Sequence, residues 1–87
     1  MTFQDLKKEL LKAEKEKNKI KINSLKMIID MVKKIAEENN EKITEIHIQK
    51  GIEKYLDYLE KTQSKFMPLE DELKFVKEFY KQFLKRL

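Results

Sequence analysis

The chain has 87 residues, with no cysteine, one glycine and one proline. Without thiols there are no disulfides, no thiolate nucleophile and no thiolate metal site, and a reducing compartment is permitted. So little Gly and Pro leaves few turn signals. Charged residues at 41% and hydrophobic residues at 40% fit long amphipathic helices rather than sheets or disorder. No apolar run approaches the ~18 residues of a membrane span, and the opening residues lack a basic lead with an apolar stretch behind it. A soluble, cytoplasmic protein with no membrane partner is expected. Arginine is also scarce: Arg86 is the only one among 20 basic residues. Arg serves bidentate phosphate and guanine contacts, so the formal charge of +4 is discounted as a nucleic-acid signal. Lys excess beside abundant Ile and Asn is ordinary in an AT-rich genome.

The length supports one core, so residues 1–87 are read as a single all-α domain, a small four-helix bundle with helices near 3–17, 19–38, 45–63 and 68–86. Thr2 and Asp5 form a capping box, with Met1 stapled on Leu6, and Phe3, Leu6, Leu10 and Ala13 make the first stripe. Asn18 is the joint. Helix two carries Ile20, Ile22, Leu25, Ile28, Ile29, Val32, Ile35 and Ala36, flanked by Met27 and Met31, an arc wide enough to mark it as central. Asn39 and Asn40 tolerate the left-handed conformation that ends a helix. Thr44 caps helix three, with Ile43 stapled on Ile48, and Ile48, Ile52, Tyr55, Leu56 and Leu59 continue its stripe towards Thr62 or Phe66. Gly51 interrupts that helix at a cost of about 1 kcal/mol against Ala, which points to close approach of a neighbouring backbone or to drift. Pro68 is placed at the first position of helix four, followed by the acids Glu70, Asp71 and Glu72. Leu69, Leu73, Val76, Tyr80, Phe83 and Leu87 form its stripe, broadened by Phe75, Phe79 and Leu84 beyond one antiparallel neighbour, so a homodimer is an expectation.

Two segments carry a family resemblance. Lys21-Ile22-Asn23-Ser24-Leu25-Lys26-Met27-Ile28, preceded by Ala13 to Lys17, resembles the basic/Leu-Ser-Thr-Leu-Arg-Met-Leu signature of the YqeY/GatB helical domains. Ile43-Thr44-Glu45 followed by Ile48-Gln49-Lys50-Gly51-Ile52-Glu53-Lys54 is similar to that family's Leu-Thr-acid and Val-Ile-Gln-Lys-Glu-Ile-Lys pattern. The resemblance covers roughly residues 3 to 63, with a looser match from Glu72 to Phe79. Lys81 replaces the family's proline, Tyr55 to Tyr58 replaces a more cationic run, and the chain ends at Leu87 without the family's C-terminal helical domain. The resemblance implies the fold of the YqeY N-terminal domain and a tRNA-related role. Such domains serve as tRNA-affinity appendages, and GatB tails belong to the amidotransferase that converts misacylated Glu- or Asp-tRNA to the amide. Any amidotransferase-type label would describe an accessory.

No catalytic set emerges from the residues. His47, the only histidine, falls in the first turn of helix three and is expected to be exposed, structural and without a catalytic partner. Ser24 has no signalled base and reads as a packing residue. Glu37, Glu38 and Glu41 read as a solvated acidic helix end, and no cofactor or metal is implied.

Charge is more informative. From Lys7 to Lys34, ten Lys against Glu9, Glu14, Glu16 and Asp30 leave +6, whereas residues 37–60 carry seven acids against three Lys, leaving −4. Lys12, Lys15, Lys17, Lys19, Lys21 and Lys26 are therefore the candidate nucleic-acid face, able to follow an RNA backbone by charge, against the plainer reading of a solvated Lys-rich surface. No aromatic is interleaved with these lysines, so base stacking is not expected there. Tyr55, Tyr58, Phe66, Phe75, Phe79, Tyr80 and Phe83 crowd the second half and read first as core. Tyr58, Phe75 and Phe79 are the candidate partner-binding residues. The sequence thus supports two functions: a non-catalytic module binding tRNA or a tRNA-handling enzyme of amidotransferase or synthetase type, or a phage or mobile-element adaptor binding a host protein without nucleic acid.

Overall fold

In the computed structural model, which describes residues 1–86, helix ends follow local chemistry. Thr2 Oγ1 accepts from the Asp5 N–H at 3.2 Å while the Asp5 carboxylate accepts from the Thr2 N–H at 2.9 Å, and this reciprocal box starts α1 (Phe3–Lys15). Asn18 Oδ1 accepts from the Lys21 N–H at 3.2 Å and starts α2 (Lys19–Glu38). The third and fourth helices are α3 (Glu45–Thr62) and α4 (Glu70–Lys85). Among the described residues there is no strand, and no helix is long and apolar enough to cross a membrane. The expectation at Leu87 lies outside the described residues.

The first two helices stop in the same way. After α1, Lys17 turns left-handed at φ 56°, with the Asn18 N–H donating to the Ala13 carbonyl and the Lys17 N–H to that of Glu14. After α2, Asn40 does so at φ 51°, with Glu41 donating to Ala36 and Asn40 to Glu37. Both are Schellman endings, which require one left-handed residue. Asn40 takes that conformation readily, whereas Lys17 carries a Cβ penalty that glycine would avoid. This ending closes α1 two residues before the expected position 17.

Packing places α2 at the centre, in contact with α1, α3 and α4, while α3 also meets α4. The core joins Leu6 and Ala13 of α1, Leu25, Ile28, Ile29 and Val32 of α2, Ile48, Ile52, Tyr55 and Leu59 of α3, and Leu73, Val76, Phe79 and Phe83 of α4. Gly51 marks a close approach: a Cβ there would lie 2.5 Å from Val32 Cγ2 and 3.3 Å from the Val32 amide nitrogen. Its propensity cost is therefore offset by the contact between two backbones.

Three expectations are corrected. Pro68 precedes α4 instead of opening it, because Ser64 and Met67 close a tight turn through reciprocal backbone bonds of 3.1 and 3.2 Å and Leu69 remains non-helical as the cap. Phe66, at the tip of that turn, is 99% exposed and not core. His47 is buried at 5% exposure, because its ring folds back over the start of α3.

Candidate functional site

The six lysines of the expected cationic face do not form one face. Lys12 and Lys21 line a groove between α1 and α4, whereas Lys15 and Lys17 sit at the α1–α2 corner. Lys19 and Lys26 are exposed and seven residues apart, hence on one stripe of α2. At roughly 100° per residue, Lys21 points about 160° away from Lys19. Lys21 is also engaged: its ammonium lies 3.8 Å from the Glu16 carboxylate and 5.9 Å from the centre of the Phe75 ring. Lys12, Lys15, Lys17, Lys19 and Lys26 have no acidic partner within 4.0 Å among the described residues.

The groove has a volume of about 600 Å³. The half-buried Ile20 and Phe75 supply most of its apolar surface, above the buried Ala13, Leu25 and Phe79. Its charged walls are balanced, with Glu9, Glu16, Asp71 and Glu78 against Lys12, Lys21, Lys74 and Arg86. Such a groove has no net attraction for a polyanion. Glu9 and Lys12 on α1, with Glu16 at its C-cap, line one wall and Asp71, Lys74, Glu78 and Gln82 on α4 the other, at helical spacings that put each set on one side. Closing the seam would take these charges out of water, which accounts for its being open.

The three candidate partner-binding aromatics separate as well. Phe79 is 6% exposed and belongs to the core, correcting its reading as a surface anchor. Phase along the helix explains this, since Phe79 continues the buried Val76–Phe83 stripe by three and four residues. Phe75 is partly buried, 5.8 Å from Phe79 between ring centres. Tyr58 is exposed and stacks on Tyr55 at 6.2 Å and 16°. The fully exposed Phe66 was missed as a surface residue; its signal was its place between Ser64 and Pro68, in turn-forming sequence.

Two polar residues, Ser24 and His47, are buried. The Thr44 N–H donates to His47 Nδ1 at 2.9 Å, so the imidazole fills the place of the acid in a capping box, and Nε2 lies 3.7 Å from the Glu41 carboxylate. Ser24 Oγ is fully buried without a hydrogen bond of normal geometry. Burial raises the Tyr55 hydroxyl pKa, and the nearby Ser24 hydroxyl offsets part of that rise. The Tyr80 hydroxyl donates to the Glu53 carboxylate at 2.5 Å, tying α4 to α3 and raising the tyrosine pKa. Among the described residues no group of three His, Asp or Glu side chains converges as a metal site.

No family model, no curated protein and no solved structure matches this chain.

Proposed function

We propose that the protein is a non-catalytic helical module that binds tRNA through the α1–α2 corner and the outward stripe of α2, namely Lys15, Lys17, Lys19 and Lys26. The observation that carries this reading is that these lysines are exposed without acidic partners, Lys15 and Lys17 at the α1–α2 corner and Lys19 and Lys26 on one stripe of α2. Unpaired ammonium groups in solvent can displace counterions from a phosphate backbone without reading sequence. The choice of tRNA, or of an enzyme that handles it, comes from the YqeY/GatB resemblance at residues 21–28 and 43–54. Lys12 and Lys21 are left out of the contact because they belong to the charge-balanced groove.

Lys15→Glu, Lys19→Glu and Lys26→Glu combined in one chain test the proposal. Electrophoretic mobility shift with tRNA should show lost retention in the variant and a parent affinity that falls steeply with salt. An equal shift by both chains would sink it. All three positions are exposed, so the helical circular dichroism spectrum should be unchanged.

Tyr58 favours a second reading, an adaptor for a host protein. A half-exposed tyrosine held flat against Tyr55 is a rigid amphipathic anchor of the kind protein interfaces use. A complex that survives nuclease and high salt but is lost on Tyr58→Ala would support this reading over the first.

A further inference from the structure

The outward face of α2 runs on past the lysines of the proposed contact. Lys19, Lys26 and Lys33 recur every seven residues, so they lie in one row along the helix, and Lys34 borders it. All four are exposed, and none has an acidic partner within 4.0 Å among the described residues. At a rise of 1.5 Å per residue, the row spans about 21 Å from Lys19 to Lys33. Asp30 is the one acid inside it, and Glu37 ends it. On the opposite side Leu25, Ile28 and Val32 are buried in the core, which fixes the helix that carries the row.

A fixed row of ammonium groups discriminates among polyanions by their charge density. A double helix carries one phosphate charge per about 1.7 Å of axis, twice the density of either strand alone, and each ammonium releases roughly 0.9 counterions from it against 0.7 from a single strand. Unpaired RNA is ordinarily held by stacking its bases on aromatic rings. No Phe, Tyr or Trp occurs between residues 4 and 54, a stretch that takes in all of α2. A lipid surface fits poorly as well: Met27 is the only exposed large apolar side chain of α2, too little to seat the helix in a membrane interface.

We infer that the outward face of α2, extended by Lys33 and Lys34, binds the paired stems of an RNA in preference to its unpaired loops. The choice of RNA rests on the tRNA reading above; the preference for a double helix and the two added lysines go beyond it. The contact is made to phosphates, so it is indifferent to base sequence.

Fluorescence anisotropy of the full chain tests this with three probes: tRNA, a short blunt RNA duplex, and one strand of that duplex designed without self-pairing. At about 0.1 M salt the duplex should bind about fivefold or more tighter than its single strand. Lys33→Gln combined with Lys34→Gln should weaken duplex binding about tenfold or more and reduce the slope of log affinity against log salt by about 2. Asp30→Asn removes the acid inside the row and should strengthen duplex binding. All three positions are exposed, so the helical circular dichroism spectrum should match that of the parent. A single strand held as tightly as the duplex would overturn the inference while leaving tRNA binding intact. So would a duplex bound equally by the parent and the double Gln chain, or vesicles rich in phosphatidylserine bound more tightly than the duplex. A chain that retains none of the three RNAs would overturn both this inference and the reading it rests on.

Discussion

The seam between α2 and α3 and the seam between α1 and α4 are both made from amphipathic helices, yet the first closes until backbones meet and the second stays open. In the closed seam, Gly51 faces Val32, with Ile28, Ile48 and Ile52 fully buried in the same core. In the open seam, both walls carry charges at i, i+3 and i+7 spacing. Apolar burial at about 25 cal/mol per Å² draws the first pair together, whereas desolvating facing charges opposes closure of the second. The difference is one of packing within one small fold: the closed seam holds the bundle, and the open one keeps its charged walls in solvent.

The largest test of this contrast is in the closed seam. Ile52→Ala should cost about 2–5 kcal/mol in urea unfolding, because a fully buried side chain leaves a cavity that the helices on both sides prevent from collapsing. By contrast, Lys74→Ala on the open wall should stay within about 0.5 kcal/mol of the parent. Comparable losses at the two sites would erase the distinction.

Gly51→Ala sharpens it further. Helix propensity alone would reward Ala by about 1 kcal/mol, but the new methyl would meet Val32 Cγ2, so a net loss of about 1–3 kcal/mol is expected. Val32→Ala removes the obstructing methyl, and in a double-mutant cycle the pair should show favourable coupling. Additive losses would mean that the close approach is not what requires glycine.

A smaller change concerns the ending of α1, at the edge of the open seam. Lys17→Gly relieves the left-handed strain and should raise stability by about 1 kcal/mol in thermal unfolding. Stability unchanged or lowered would contradict the Schellman geometry.

The smallest effect is at the other end of α1. The backbone N–H of Thr2, followed by its hydroxyl, holds the Asp5 carboxyl below its usual pKa. A depressed folded-state pKa gives stability that is present above the unfolded value of about 3.9 and lost as pH falls through the folded one. Asp5→Asn should therefore lower stability at neutral pH and flatten the acid limb of the unfolding curve, where the parent's advantage disappears. An NMR titration placing the Asp5 midpoint at or above that of an unfolded peptide would refute the box.

Most helix limits were legible because caps are local. Thr2–Asp5, Asn18, Asn39–Asn40 and Thr44 each satisfy backbone groups within a few residues, so spacing along the chain is enough to find them. His47 was legible in position but not in burial: nothing in a lone histidine at the third helical position reveals that its ring will replace an acid in a cap. Pro68 misled for a related reason. It fits a first helical position, but the Ser64–Met67 turn took the preceding backbone and delayed α4 to Glu70. Of the candidate site, the lysines were legible as a set but not as a surface, since Lys19 and Lys21 are two residues apart and face nearly opposite directions.

The sequence by itself determined four amphipathic helices, their capping residues and the central place of the second, because periodicity and caps act over one or two turns. Tertiary structure decided which edges meet. It buried Phe79, left Phe66 in solvent, split the lysines between a corner and a groove, and opened one seam while closing another. Those outcomes depend on how each helix is rotated against neighbours distant in the chain, and that rotation is set by the balance of apolar burial and charge desolvation across each seam.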